Sequence, residues 1–182
     1  MPAPRNPAVT EFANVIIFLD SVPGAGDTAV GASTPLKIEQ LGETFVPHVL
    51  PVLVGSTVQF PNADPVFHNV FSLSSARSFD LGRYPKGDSK SVRFDRPGTV
   101  QVFCHIHSDM SAVVLVLSNR FFTVPAAPGQ YAIDGVPAGE YRLVAWHERI
   151  KPIVRHVRVQ AGETTVLDLN VPLPPIPEAP GR

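Results

Sequence analysis

The sequence predicts an all-β protein built from short strands. Runs of β-branched and aromatic residues recur along the 182-residue chain, and 20 prolines and 13 glycines divide them into short segments. Few long stretches show the 3.6-residue period of an amphipathic helix. Over residues 164–171, polar and apolar residues alternate, as they do on a half-buried strand. A chain of this length can bury a sizeable core in one large or two small domains.

The expected strands lie between turn signals such as Pro23-Gly24, Asp134-Gly135 and Pro137-Ala138-Gly139. In the first part of the chain these strands are 14–20, 36–40, 49–54, 57–60, 68–73, 89–94, 99–104 and 112–118. In the second part they are 130–133, 140–147, 153–160 and 164–171.

The composition excludes several classes of function. The net charge of −1 offers no basic surface for nucleic acid. No apolar run approaches the roughly 20 residues of a transmembrane helix. Cys104 is the only cysteine, so no internal disulfide can form. The first residues lack the apolar core of a signal peptide. The chain is therefore either cytosolic or begins after a removed signal, and we expect the second because of the metal site described next.

One loop carries the pattern of a metal site. Cys104, His107 and Met110 follow one another at three-residue spacing in Cys-His-Ile-His-Ser-Asp-Met, and His68 lies upstream in Phe-His-Asn-Val. A thiolate and two imidazoles near one plane, with a weak axial thioether, form a type 1 copper site. Structural zinc sites rarely use methionine, so copper fits these residues better.

The alternation of the strand 99–104 supports this assignment. Val100, Val102 and Cys104 share the face that points into the core, at the strand end where a ligand loop would begin. His105 points the other way, so we do not expect it to be a ligand. A cysteine nucleophile with His107 as its base is the enzyme alternative, but no third orienting group is evident in the sequence.

These residues resemble the cupredoxin family. The Cys-x2-His-x2-Met loop has the ligand spacing of amicyanin, and the segments 60–71 and 79–82 resemble plastocyanin-like proteins found near methylamine-utilisation genes. The resemblance spans roughly residues 10–170. It implies a Greek-key β-sandwich with one mononuclear type 1 (blue) copper and a role in one-electron transport, in the periplasm or outside the cell.

The resemblance also implies a role for each ligand. Cys104 would be the thiolate and the electron exit, His68 the buried imidazole, and Met110 the axial ligand. His107 would lie near the surface, where donor and acceptor redox proteins dock. No open coordination position would remain for a substrate, so the expected protein is a carrier and not an enzyme.

Two further residues are expected beside the ligands. Asn69 would bond the Cys104 sulfur through its backbone N–H and tie two loops together through its side chain. Ile106 stands where amicyanin and plastocyanin have proline, so its N–H can offer the sulfur a second hydrogen bond. Such a bond would raise the reduction potential.

A second resemblance covers the C-terminal part. Residues 129–143 contain Gly-x-Tyr-x-Ile and Val-Pro-x-Gly-x-Tyr, which resemble the carboxypeptidase-regulatory-like (transthyretin-like) β-sandwich. The expected division is a disordered N-terminus at 1–8, a cupredoxin domain at 9–118, this sandwich at 119–171 and a proline-rich tail at 172–182. Alternatively, strand 14–20 completes the second sandwich, which would make the copper domain an insertion.

Two other functions remain open. One is copper storage or delivery. The other is a nitrosocyanin-like red copper site with an open position, which would need a carboxylate such as Glu39 or Glu43. We interpret His48 as a loop histidine and not part of a second metal site. We interpret Asp64 and Asp109 as turn residues. The arginines at 142, 149, 155 and 158 are interpreted as a solvated face.

Overall fold

The computed structural model describes residues 12–24, 36–126 and 129–173, and its named elements are all strands. The all-β prediction is confirmed. The strands are β1 (Ile16–Leu19), β2 (Leu36–Lys37), β3 (Glu39–Gln40), β4 (Phe45–Val46), β5 (Val49–Leu53), β6 (Ser56–Pro61), β7 (His68–Ser74), β8 (Arg77–Tyr84), β9 (Ser89–Phe94), β10 (Gly98–Phe103), β11 (Ser111–Leu117), β12 (Phe122–Thr123), β13 (Gly139–Trp146) and β14 (Ile153–Val159).

The chain divides into two compact units, and the first combines Met1–Pro23 with Phe121–Arg182. Its described strands form one antiparallel sheet in the order β12-β1-β13-β14. The central strand β1 is an unbroken apolar run, Ile-Ile-Phe-Leu, which suits a strand covered on both faces. Its register with β13 runs from Ile16 opposite Trp146 to Leu19 opposite Leu143.

The second unit, Gly24–Arg120, contains two larger sheets. One has the order β5-β11-β10-β7-β8 and the other β2-β6-β9, while β3 and β4 form a separate pair. Side chains of these two sheets share one buried core. The sheet β2-β6-β9 contributes Val58, Phe60 and Phe94, and the sheet β5-β11-β10-β7-β8 contributes Val70, Val100, Val102 and Val114. The two sheets therefore pack face to face as a sandwich.

Two expected strands, 130–133 and 164–171, are not strands in the structure. Residues 164–171 keep the expected alternation, since Leu167 and Leu169 are half-buried and their neighbours exposed. Their links to the rest of the unit use side chains in place of a backbone ladder. Thr165 Oγ1 donates to the Arg158 carbonyl at 2.9 Å, and Tyr131 Oη donates to the Leu167 carbonyl at 2.7 Å.

Three strands were not expected: β4, β8 and β12. β4 and β12 contain two residues each, too few for a period to be evident. β8 is an edge strand with four charged or serine residues and a glycine at a φ of 65°, so its sequence lacks the usual β-branched pattern. The expected disordered N-terminus 1–8 and most of the tail 172–182 lie outside the described residues. Within the described ranges, no helix is long and apolar enough to cross a membrane.

The sheet register brings the candidate site together. His68 begins β7, and Cys104 directly follows β10, its antiparallel neighbour. The loop 104–110 then leads into β11, which pairs with β10 on its other side. The turn 41–44 between β3 and β4 also reaches this end of the unit through its bonds to Asp64.

Candidate metal centre

The loop after β10 folds back on itself. The backbone N–H of Cys104 donates to the Met110 carbonyl at 3.2 Å, and the N–H of Met110 donates to the His107 carbonyl at 3.1 Å. These bonds close the loop between β10 and β11, which are paired up to Phe103 and Ser111. Cys104, His107 and Met110, which are spaced three residues apart, therefore lie in one compact turn.

Three of the expected ligand side chains meet at one point. The Cys104 Sγ lies 4.0 Å from the His68 Nδ1 and 4.0 Å from the His107 Nδ1. All three ligand atoms lie within 4.8 Å of one another, and the two imidazole rings are 4.9 Å apart at an angle of 61°. With metal–nitrogen and metal–sulfur distances of about 2.0 and 2.3 Å, a trigonal plane separates sulfur from nitrogen by about 3.7 Å. The donor set and spacing therefore fit one first-row transition-metal ion.

Burial differs among the four expected ligands. His68, Cys104 and Met110 are buried, and Cys104 and Met110 belong to the core of the sandwich. The His107 side chain is 25% exposed. Of the two histidines, His107 is therefore the one whose imidazole reaches solvent.

Asp64 is a site residue that the sequence interpretation missed. Its Oδ2 lies 2.8 Å from the His68 Nε2, and both side chains are almost completely buried. The backbone N–H groups of Gly42 and Glu43 donate to its two oxygens at 2.5 and 2.9 Å. Asp64 does bond backbone, as a turn residue would, but it also fixes a candidate ligand. Its spacing of four residues before His68 is the only signal in the sequence.

The Asp64 carboxyl is ionised at neutral pH. Burial acts to raise its pKa, but the hydrogen bonds from Glu43 and Gly42, together with His68, hold the pKa below its usual value. An ionised carboxylate can only accept, so Nε2 of His68 carries the proton. In the neutral imidazole this tautomer leaves the lone pair on Nδ1, the nitrogen that faces the Cys104 sulfur.

Asn69 connects β7, β8 and the ligand loop. Its Nδ2 donates to Oδ1 of Asp80 at 2.7 Å, and its Oδ1 accepts a long bond of 3.4 Å from the backbone N–H of His105. The expected backbone bonds from Asn69 and Ile106 to the Cys104 sulfur are not among the hydrogen bonds of the described residues, so these two bonds remain a prediction. The His105 ring is exposed and stacks on Phe71, away from the other two histidines.

The alternative carboxylates lie elsewhere. Glu43 Oε2 is 3.8 Å from the His107 Nε2, the ring nitrogen opposite the one that faces sulfur. Glu39 is paired with Lys37 at 3.5 Å. Among the described residues, the cluster of potential metal ligands contains no carboxylate. The Nδ1 atom of His48 lies 3.0 Å from the Ser111 carbonyl oxygen, beside the start of β11. Asp109 is exposed.

A buried polar pair lies beneath the site. Tyr84, opposite His68 across β7 and β8, donates through its hydroxyl to the Phe60 carbonyl at 2.8 Å. Gln40 Nε2 donates to the Tyr84 hydroxyl at 2.8 Å and to the same carbonyl at 3.0 Å. Burial raises the pKa of Tyr84, so its hydroxyl stays protonated. No pattern in the sequence indicated that these two residues pair.

Comparison with known proteins gives similar solved structures. No family model and no curated protein matches the chain. A purple cupredoxin from Nitrosopumilus maritimus is 24% identical, covering 44% of this chain and 98% of that one with a TM-score of 0.41. A single-residue mutant of amicyanin, solved with Cu(I), is 20% identical over 57% and 98%, with a TM-score of 0.43. The copper-containing nitrite reductase NirK from Thermus scotoductus SA-01 is 27% identical over 49% and 24%, also at 0.43.

Proposed function

We propose that this protein binds one copper ion in a type 1 centre and carries single electrons between redox proteins. The observation that carries the proposal is the convergence of the Cys104 Sγ with Nδ1 of His68 and of His107, all within 4.8 Å. A thiolate with two imidazoles suits both oxidation states of copper. Bound copper would supply the one-electron cycle between Cu(II) and Cu(I).

The chain's own residues explain why such a centre would exchange electrons with little rearrangement. His68 is held by Asp64, and the loop bearing Cys104 and His107 is closed by the bonds around Met110. Ligands fixed before the metal arrives need not move when its charge changes. Met110 is buried in the same core as Cys104, which supports its role as the axial ligand.

Donor and acceptor proteins would dock where the His107 imidazole reaches solvent. Exposed apolar side chains adjoin the site residues: Ile106 precedes His107, Phe67 precedes His68, and Leu41 begins the turn that contains Glu43. An apolar surface around the His107 imidazole suits brief encounters, because few charges must be desolvated at each encounter. The absence of a free coordination position in this ligand set supports a carrier over an enzyme.

The proposed compartment is the periplasm or the exterior of the cell. Copper bound by a solvent-reaching histidine suits a location where cytosolic copper-scavenging systems do not compete. For the functional divisions we propose a cupredoxin domain and a second β-sandwich, either as 9–118 and 119–171 or with strand 14–20 assigned to the second sandwich. The pairing of β1 with β12 and β13 supports the alternative in which strand 14–20 belongs to the second sandwich.

Visible and EPR spectra of the copper-loaded protein, beside Cys104→Ser, test the proposal. We expect an intense absorption near 600 nm that Cys104→Ser abolishes, because the band requires the thiolate; the wavelength is an expectation from the cupredoxin resemblance. The matched control is Ser108→Ala, an exposed change within the same loop that leaves every ligand in place.

Other outcomes point to the alternatives. An absorption shifted well to the blue would indicate a red copper site. Transfer of copper to an apo-acceptor faster than electron exchange would indicate storage or delivery. Failure to bind copper would refute all three functions.

A further inference from the structure

The turn between β3 and β4 contains a strained residue at the edge of the site. Gly42 and Glu43 have φ angles of 64° and 57°, so two successive residues adopt the left-handed conformation. Glycine does this freely, but for a glutamate the conformation carries an energetic cost. Glu43 is the one residue other than glycine with a positive φ among those described. Strain of this kind persists where the surrounding contacts hold it in place and often marks a functional site.

The strain directs two backbone N–H groups at one carboxylate. Gly42 N donates to Oδ1 of Asp64, and Glu43 N donates to Oδ2. Asp64 itself is placed by its own N–H, which donates to the Asn62 side chain at 2.9 Å. The buried charge is therefore satisfied by fixed backbone donors from a separate turn, without a neighbouring cation from lysine or arginine among these bonds.

The same carboxylate oxygen that accepts from Glu43 also accepts from His68. Oδ2 lies 2.9 Å from the Glu43 N and 2.8 Å from the His68 Nε2. A histidine metal ligand commonly bonds a carboxylate or carbonyl through its second nitrogen, which fixes the tautomer and raises the basicity of the ligating nitrogen. Here the acceptor of that bond is a buried carboxyl group that is itself held by two backbone N–H groups.

Glu43 touches the second imidazole as well. Its Oε2 lies 3.8 Å from Nε2 of His107, while its backbone supports the carboxylate behind His68. Glu43 therefore acts on both histidines: its side chain approaches His107, and its backbone N–H bonds the carboxyl group that contacts His68. The backbone N–H of Glu43 bonds a buried carboxyl group, whereas the Glu43 side chain is more than half exposed and its charge is screened by solvent.

We propose that the turn 41–44 and Asp64 act as the positioning element of the metal centre. The backbone of Gly42 and Glu43 holds the Asp64 charge against His68, which keeps Nδ1 directed at Cys104 and favours the higher oxidation state of the bound metal. The inference rests on the proposed copper function for its redox part only. The orientation of His68 can be tested without any metal.

The first test measures the His68 tautomer in the metal-free protein by nitrogen-15 NMR at mildly alkaline pH. The Nε2–H form is expected in the unmodified protein and in Glu43→Gly, which keeps the backbone N–H and relieves the strain. Asp64→Asn should lose the preference for this form. A Nδ1–H tautomer in the unmodified protein overturns the proposal, and so does loss of the preference in a folded Glu43→Gly variant.

The second test compares copper affinity and reduction potential. Asp64→Asn should weaken Cu(II) binding by about 10–100-fold, the range found when a partner of a metal ligand is removed. The affinity for Cu(I) should fall at least tenfold less, and each tenfold difference raises the potential by about 59 mV. Asp109→Asn is the matched control, because it removes an exposed charge of the same sign from the ligand loop.

The outcomes separate this inference from the proposed function. If the unmodified protein binds no copper, the proposed function fails and the tautomer measurement still decides the positioning role. If it binds copper but Asp64→Asn and Asp109→Asn shift the potential equally, or the Asp64→Asn potential falls, the positioning role fails alone. A thermal unfolding curve of each variant identifies any loss of the fold, and in that event the tautomer of the unmodified protein decides.

Discussion

The His105 ring stacks on the Phe71 ring, with centroids 3.7 Å apart and an angle of 4° between the planes. His105 directly follows Cys104 in the chain, yet its side chain lies on the opposite face of the sheet end. The stack explains how two histidines of one short loop take different roles. His107 turns toward the Cys104 sulfur, and His105 packs against an outward-facing aromatic residue of β7.

His105→Ala should leave metal binding nearly unchanged. Because the ring faces away from Cys104, we expect less than about a threefold change in copper affinity, well below the 10–100-fold expected from loss of a ligand's partner. Loss of the stack should lower the free energy of unfolding by roughly 0.5–1.5 kcal/mol. Competition with a copper chelator and urea denaturation measure the two effects. His107→Ala is the comparison, and equal losses of affinity in both variants would make His105 a ligand.

Ile106→Pro should lower the reduction potential. Proline removes the N–H that we expect to bond the sulfur in the copper-loaded centre, and such a bond favours the reduced state by drawing charge from the thiolate. Direct electrochemistry of the loaded protein measures the potential. Ile106→Val keeps the N–H and serves as the control. An unchanged or higher potential in the proline variant contradicts the prediction.

Tyr84→Phe should destabilise the sandwich by about 1–3 kcal/mol. The change leaves the buried Gln40 amide without the hydroxyl that accepts from it, and an unsatisfied buried donor costs roughly this much. Tyr131→Phe removes a less buried hydroxyl bond and should cost less. Urea denaturation of the metal-free variants measures both. A smaller cost for Tyr84→Phe than for Tyr131→Phe would refute the importance of the buried pair.

Stability should depend on Asp80 at low pH. The Gly82 N–H and then the Asn69 side chain hold the pKa of Asp80 below its ordinary value of 3.8. The folded protein therefore binds this proton less readily than the unfolded chain, so the contribution is present above pH 3.8 and is lost as the pH falls through the lower folded value. Asp80 is exposed, so solvent screening keeps the effect small.

The measurement is the difference in unfolding free energy between the unmodified protein and Asp80→Asn as the pH falls. The difference should shrink toward acid pH. Asp88→Asn, which removes the charge of another exposed aspartate, is the matched control. A difference that grows on acidification would reverse the assigned sign.

Deletion of residues 1–30 should unfold the sheet that contains β13 and β14. The deletion removes β1, which lies between β12 and β13 and contributes the buried residues Ile16, Ile17 and Leu19. Deletion of residues 1–11 alone leaves β1 in place and is the control. Limited proteolysis and NMR of the C-terminal region detect the loss. A fully folded C-terminal part after the longer deletion would rule out a contribution of β1 to that unit.

The sequence alone predicted the strands that have strong periodic patterns and missed those whose pattern is interrupted. Thr99 and Gln101 are exposed while Val100 and Val102 are buried, and these residues lie in β10. β8 was missed because it contains charged residues and a glycine. Charged residues are common in a strand at the edge of a sheet, where one side of the strand faces solvent. The run 164–171 has a strand's alternation, but within the described ranges its links to the rest of the unit are side-chain bonds, which no local pattern reveals.

The candidate site likewise combines residues that the sequence predicted with contacts that it did not. Ligand type and spacing are local properties, so the sequence by itself determined Cys104, His107 and Met110 as one loop, and strand alternation turned His105 away. Contacts between distant segments were decided by the tertiary structure alone. Folding places the turn 41–44 against Asp64 and Gln40 against Tyr84. Hydrogen bonds of this kind depend on how strands from distant parts of the chain align, and that alignment is fixed by packing of the shared core and not by any local sequence pattern.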